Sequence, residues 1–450
     1  MTVYKNYLRN DPFSSFSQLN IDQSFYKKIV TPLLNSFSKS LEGHGTEHRC
    51  EEFSIILFLN ALLGYSPNQG SQILEHKLYS ILQYDLSHFI KDTRILPHPS
   101  QMTKYASKFS MEEVNTIFLE RNKEIISYLL EKGLLPKKIN IAFDYKKKLY
   151  YGKKEVSHVI GIKAEKGTTK ANFWHTCAII LKGREFQIGS EMVESRKNKE
   201  QFIQKMVKFF RSLGFIIKLA VLDKEYYTKA IIKYFQSEQI TYIIPVKESD
   251  KLRSLKEEVL QDPHKRVQNY AMKDVYVKGR GYSHVDFKIG LYAKKKLRFD
   301  RLRAKYNRSE INLSKILADI FVLATNQKIT APKLQKKYRF YKVRGDYGTR
   351  WRIETSYREV IPFFTFTSSI LAEVRNLYFI IALLLYNLWV LANLFLHKKR
   401  IRQPKEPMKY FCGFFHEYLF ELLQTYVGLD PPHREFCREQ QINKMRYIIS

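Results

Sequence analysis

At 450 residues, with 44% hydrophobic and 14% aromatic side chains, the chain can bury at least one large core, which excludes both a minimal binding motif and a disordered basic tail. Its 76 Lys and Arg against 44 Asp and Glu leave a formal charge of +32 and call for a polyanionic partner. Nucleic acid is the first expectation, because each cation that neutralises a phosphate releases a condensed counterion. The four cysteines, Cys50, Cys177, Cys412 and Cys437, show no paired spacing, so a disulfide framework is not expected. The opening MTVYKNYLRN lacks the apolar stretch of a signal peptide, and the protein is read as cytoplasmic.

Residues 1–135 read as a mainly helical region. An apolar run over 51–63 ends at Gly64, the turn Ser66-Pro67-Asn68 follows, and a second helix starts near Gln69. This helix-turn-helix outline suits DNA binding, and a helical bundle that only packs fits the same pattern. After Leu96-Pro97-His98-Pro99, Ser100 can cap a helix carrying Lys104 and Lys108.

From Lys137 the period changes to that of strands. The run 139–143 ends at Asp144, and two β-rich runs, 173–181 and 185–193, flank a turn at Lys182-Gly183-Arg184. A helix over 198–213 places Phe202, Met206, Phe209 and Phe210 at helical spacing before Gly214. Then come a strand at 216–222 ending at Asp223, a helix at 226–236 and a strand at 242–246. Three strands, helix, strand, helix, strand is the order of a ribonuclease-H-like α/β core, read here over 136–246.

The segment 247–318 is expected to be a basic, β-rich insertion. Its part 265–308 holds 14 Lys or Arg against three Asp, including the run Lys294, Lys295 and Lys296, with a turn at Gly279-Arg280-Gly281. Residues 319–400 return to the core with a last strand at 320–325 and a catalytic helix, and 401–450 read as a helical C-terminal region. Residues 377–396 carry no charge and have the length of a membrane span, followed by His397-Lys398-Lys399-Arg400. A buried helix of a large soluble core has the same composition, and no membrane partner is expected. Cys412, His416, His433 and Cys437 recur at helical spacing; a zinc site on two helices is one reading and two ordinary amphipathic helix ends the other.

Cutting and rejoining DNA requires a nucleophile made from water or a 3′-hydroxyl and charge stabilisation on the phosphoryl group, which two ions about 4 Å apart can supply. Mg²⁺ or Mn²⁺ takes oxygen ligands, so the residues to look for are acids at strand ends. Asp144 and Asp223 stand at such ends. Tyr347, Arg350 and Glu354 are spaced by three and four and form one polar helical stripe, in which Glu354 can hold metal while Arg350 and Tyr347 engage a phosphate or a base. An ordinary surface ion pair between Arg350 and Glu354 has the same spacing.

Together the segments IAFDYKKKLYYGKK, AVLDKEYYT and YGTRWRIETSYREV resemble the insertion-sequence-four type of DDE transposase, whose last acid sits in a Tyr-x2-Arg-x3-Glu-x6-Lys signature. The resemblance covers about 137–396. It implies a catalytic triad of Asp144, Asp223 and Glu354 binding two Mg²⁺ or Mn²⁺ ions, with Tyr347, Arg350 and Arg358 on the DNA. It also implies double-stranded DNA partners, both element ends and target, a homodimer that brings two ends together, and a prokaryotic, nucleoid-associated setting. Ile361 stands where the signature has its Lys. That departure keeps two rivals open, a nuclease that cuts without transposing and a catalytically silent DNA-binding derivative.

Replacing Lys294, Lys295 and Lys296 with Ala is expected to weaken DNA binding regardless of sequence and to flatten its salt dependence; an unchanged slope of log affinity against log salt removes the insertion from the DNA interface.

Overall fold

The computed structural model describes residues 32, 35, 39, 50–63, 66, 69 and 99–397, apart from 154–155, 182–183, 195–197, 274–283, 295–298, 308–311, 330–336 and 366. At the N-terminal turn the Gln69 amide donates to Ser66 Oγ at 3.3 Å and Gln69 is helical; residues 67–68, the rest of that second helix, the Gly279-Arg280-Gly281 turn and the Cys/His group at 412–437 lie outside the described residues. The chain divides into two compact units, one made of 1–131, 152–157 and 358–450 and the other of 132–151 and 158–357.

The first unit is helical. Its described helices are α1 (Cys50–Leu63), α2 (Pro99–Ala106), α3 (Met111–Glu131) and, later in the chain, α11 (Ala372–His397). Ser110 and Glu113 start α3 as a reciprocal cap, the Ser110 amide donating to the Glu113 carboxylate at 2.8 Å and the Glu113 amide to Ser110 Oγ at 3.2 Å. Glu112 and Glu113 also place negative charge at the positive end of that helix. The apolar stripe Val114, Ile117, Phe118, Ile125, Ile126 and Leu129 is buried.

Helix α11 is long and apolar enough to cross a membrane by length and composition, yet 94% of its most apolar window is buried inside the protein. It packs against α3, α1 and α2. Asn376 and Asn387, which interrupt its apolar run, are fully buried and donate to Asn115 at 3.2 Å and Asn122 at 2.8 Å on α3. The sequence leads one to expect Arg375 and Asn376 beside the helix that carries Glu354; Asn376 is instead matched to α3, and α11 meets the end of the helix Trp351–Val360 farther along, where Tyr386 hydrogen-bonds Glu359. Amides that must be bonded when buried fix which face of α11 meets which face of α3. Asn387→Ala should therefore lower stability by about 1–3 kcal/mol, since it takes a donor from the buried Asn122 carbonyl. The check is a lower denaturant midpoint at unchanged slope.

The second unit is a mixed sheet between two helical layers. Its elements are β1 (Lys138–Leu149), β2 (Ile160–Glu165), β3 (Thr168–Leu181), β4 (Arg184–Met192), α4 (Lys199–Ser212), β5 (Ile216–Leu222), α5 (Lys229–Ser237) and β6 (Tyr242–Pro245). They continue with α6 (Asp250–Gln261), β7 (Val267–Lys273), β8 (His284–Ala293), α7 (Phe299–Asn307), α8 (Leu313–Ala318), β9 (Ile320–Thr325), α9 (Lys337–Gly348) and α10 (Trp351–Val360). The order across the sheet is β2-β3-β1-β5-β6-β9-β8-β7, with β4 paired to β3. β1 and β4 run antiparallel to β3, while β5 and β6 continue from β1 in parallel. β9 is antiparallel to β6, and the β8 and β7 of segment 247–318 pair onward from it. Segment 247–318 thus extends the central sheet and carries α6, α7 and α8 as well.

Strand alternation sorts the two layers. Phe143 packs against Phe202 of α4 and Phe235 of α5, whereas Ala142, Ala178, Val221, Ile243 and Leu323 form a cluster with Phe340 and Val343 of α9 and Ile353 and Tyr357 of α10. Gly214 ends α4 with φ +76°, and the Phe215 and Gly214 amides reach back to the Phe210 and Arg211 carbonyls, the Schellman arrangement that a left-handed glycine permits. At Gly189 a Cβ would lie 2.3 Å from the Met206 sulfur, so the glycine lets the Met206 side chain of α4 lie directly on β4.

Candidate active site

The parallel pairing of β1 with β5 ends at Phe143 opposite Leu222, and the Asp223 amide donates to the Phe143 carbonyl at 3.1 Å. Asp144 and Asp223 are therefore the next residues on neighbouring strands. Asp223 follows the end of β5, but Asp144 does not end a strand: β1 runs on to Leu149 because its antiparallel ladder with β3 continues past the last β5 pair. Asp144 shares the Ala142 face of β1, the face covered by α9 and α10, and only 5% of it is exposed.

Tyr347, Arg350 and Glu354 do not lie on one helix. α9 ends at Gly348 and α10 starts at Trp351, and a tight turn joins them through Arg350 N–H to the Tyr347 carbonyl at 3.0 Å. The three side chains still meet. Arg350 Nε donates to the Tyr347 hydroxyl at 2.9 Å, Nη2 to Glu354 Oε1 at 2.6 Å, and Nη1 lies 3.3 Å from Asp144 Oδ2. The Arg350–Glu354 pair, for which a surface bridge is the alternative reading, extends inward to Asp144, with Arg350 12% exposed and Glu354 40%.

Charge is poorly balanced here. Burial pushes the Asp144 carboxyl up to about 7; Arg350 and the Tyr145 amide pull it down, and Asp223 and Glu354 push it up. Burial disfavours the charge on Arg350, but Tyr347, Asp144, Glu354 and Asp223 outweigh that and hold it above its ordinary value. Burial likewise raises Tyr347 to about 12.

A second set of contacts fixes the backbone of Asp144. Its carbonyl accepts from the Tyr226 hydroxyl at 3.1 Å and from Thr176 Oγ1 at 3.2 Å, and Thr176 Oγ1 also bonds the Tyr357 hydroxyl of α10. Because the single Tyr226 proton goes to that carbonyl, His175 Nδ1, 3.0 Å away, must be the donor to Tyr226. Burial, with Lys199 nearby, lowers His175 to about 3 and keeps it neutral. No sequence pattern marks Thr176, His175, Tyr226 or Tyr357 as site residues. Lys146 was also missed, though its place two residues after Asp144 puts it on the same strand face.

The remaining expected residues are not gathered at this point. Lys294 is exposed at the end of β8, 3.5 Å from Asp319, while Lys295 and Lys296 lie outside the described residues. Arg358 is exposed on the last turn of α10. Among the described residues no three of His, Cys, Asp or Glu form a ready-made metal cluster, since Arg350 stands between Asp144 and Glu354.

No family model and no curated protein matches the sequence. Among solved structures the chain is similar to the piggyBac transposase in its synaptic complex with hairpin DNA, with a TM-score of 0.52 and 11% identity over 94% of this chain and 84% of that one. The two share a fold. At that identity the likeness shows the fold alone. The Drosophila P element transposase strand transfer complex aligns over 77% of this chain and 87% of that one at 10% identity, with a TM-score of 0.18, too low to bear on the fold.

In metal-free protein, Asp144 has a folded pKa above its unfolded value, so its folded state binds the extra proton and its contribution is most favourable below about pH 4. That contribution is lost as pH rises toward 7, by on the order of 4 kcal/mol. Asp144→Asn should remove the loss: relative to the parent, the variant gains stability between pH 4 and pH 8 in EDTA. Parallel denaturation curves across that range would contradict the assignment.

Proposed function

We propose that the protein is a DDE transposase of the insertion-sequence-four type, which cleaves DNA at element ends and joins the freed 3′-hydroxyl to target DNA. The observation that carries this reading is the placing of Asp144 and Asp223 side by side where the β1–β5 pairing stops, with Glu354 joined to Asp144 through Arg350. The strand order β4-β3-β1-β5-β6, antiparallel then parallel with α4 and α5 as crossovers, supports a ribonuclease-H-like core. The charge of +32, and a shared fold with a transposase solved on hairpin DNA, support double-stranded DNA as the partner. A homodimer, and a place at the nucleoid of a prokaryotic cytoplasm, belong to the same reading.

The donor set suits Mg²⁺ or Mn²⁺: three carboxylates and no sulfur, one of them still short of positive charge with Arg350 beside it. Asp144, Asp223 and Glu354 would hold the ions, two in the full reading. When bound, they supply charge stabilisation at the phosphoryl group and activate the attacking oxygen. The residues of the chain do the positioning. Arg350 competes with metal for Asp144 and Glu354 and, once released from them, presents a planar fork to a phosphate. Tyr347 orients the guanidinium through Nε, and the Tyr357–Thr176 pair holds Asp144 in register with α10. In strand transfer the 3′-oxygen forms a bond to the target phosphorus, gives up its proton, and the displaced target 3′-oxygen leaves.

One observation favours a second reading. Arg350 already bridges two of the acids and Ile361 replaces the signature Lys, as in a DNA-binding derivative that no longer cuts. Incubating the full chain with Mg²⁺ or Mn²⁺ and a plasmid carrying the DNA that flanks its gene separates the two. Cleavage that falls at least 100-fold in each of Asp144→Asn, Asp223→Asn and Glu354→Gln, with DNA binding kept, is the expected result. Glu354→Gln cutting as well as the parent would overturn the DDE assignment, and a parent that binds but never cuts would favour the silent derivative.

A further inference from the structure

Lys146 lies two residues beyond Asp144 on β1, so both side chains share the face turned toward α9 and α10. Its Nζ sits 4.6 Å from the ring centroid of Tyr357, which follows Glu354 by three residues and so lies on the same side of α10. The cation is thereby held between the strand that carries the first acid and the helix that carries the third. Its environment differs from that of the other cations nearby. Arg350 is matched by Asp144 and Glu354, Lys147 by Glu165, and Lys199 by Glu225. Among the described residues no carboxylate lies within ion-pair distance of Lys146.

An aromatic ring attracts an ammonium through its quadrupole but accepts no full set of hydrogen bonds, so the three N–H donors of Lys146 remain available to an arriving oxygen. Lys146 is half-buried, and burial lowers its pKa while Asp144 raises it. A partly desolvated cation binds an anion more strongly than an exposed one, because less water must be stripped and the local dielectric is lower. Ile361, 56% exposed in the turn after α10, has no donor at all.

We propose that Lys146 contacts the DNA phosphate next to the acids and fills the cationic role that Ile361 cannot. This deepens the DDE reading above and rests on it. The test uses the full chain and a duplex taken from the DNA flanking its gene. Binding is titrated against salt in EDTA, and nicking of a plasmid with the same flanks is followed in Mn²⁺. Lys146→Met and Lys146→Gln should lower the slope of log affinity against log salt by about one and slow nicking at least about tenfold, whereas Lys146→Arg keeps both near the parent's values. Matching thermal melts, with Gln as the milder replacement, separate these effects from misfolding. An unchanged salt slope overturns the proposal even if nicking falls, because Lys146 would then act only by supporting Tyr357. Nicking that survives the loss of slope also overturns it, by placing the contact away from the reacting phosphate. Failure of the DDE reading itself looks different: Glu354→Gln would nick as well as the parent whatever Lys146 does.

Discussion

The Asp144 carboxylate is buried on one face of a sheet, and the Arg350 guanidinium 3.3 Å away is what makes that burial tolerable. A lone carboxylate in such a place would be neutral or would destabilise the fold by several kcal/mol, on the order of the penalty for an uncompensated buried ion. Arg350 does not complete the compensation, because Asp223 and Glu354 add repulsion from two sides. The local charge is therefore set for more positive partners than the chain itself supplies. Sites of this kind trade stability for function, and here the deficit is concentrated at one oxygen pair.

The fold delivers that arrangement through two simple regularities. The parallel pairing of β1 with β5 stops at Phe143 and Leu222, which sets two aspartates side by side, and alternation along β1 turns Asp144 and Lys146 toward one helical layer while Phe143 packs into the other. The helix pair α9 and α10 then closes over the first face through Phe340, Val343, Ile353 and Tyr357. Arg350 sits in the turn between these helices, where it can reach back to Tyr347, forward to Glu354 and down to the sheet. A residue in mid-helix would have been restricted to one face of its own helix.

Much of this could be read from residues alone, and the failures have physical causes. The order of strands and helices from β1 to β6 follows from short apolar runs broken by Gly214 and Asp223. The edge strand β2 was not foreseen, because Ile160–Glu165 is half exposed and carries little apolar signal. The end of β1 was placed at Asp144 because the apolar run stops there; pairing with β3, which no local pattern reports, carries the strand on through three lysines. Arg350 and Glu354 fit a surface bridge by spacing, and only the tertiary approach of Asp144 makes the pair part of a site. The long apolar run of α11 was legible as a helix, but its neighbours were not, since Asn376 and Asn387 reveal their role only when Asn115 and Asn122 stand opposite them. Thr176, His175 and Tyr226 are the plainest omissions: Thr176 and Tyr226 bond the Asp144 main chain and His175 orients Tyr226, and nothing in a residue's type announces that.

The excursion of the chain through β6, the outer strands and β9 before it returns in α9 has a consequence during synthesis. Asp223 leaves the ribosome about 130 residues before Glu354 and Asp144 about 210 before it, a lag on the order of ten seconds or more at about 5–20 residues per second. Until Arg350 and α10 emerge, Asp144 has neither its counter-charge nor the helix that shields it, and the ends of a long loop have yet to be brought together. A growing chain holds no assembled site. The charges around Asp144 are therefore assembled only in molecules translated past residue 357, and a prematurely terminated product carries an unmatched carboxylate on an uncovered sheet face.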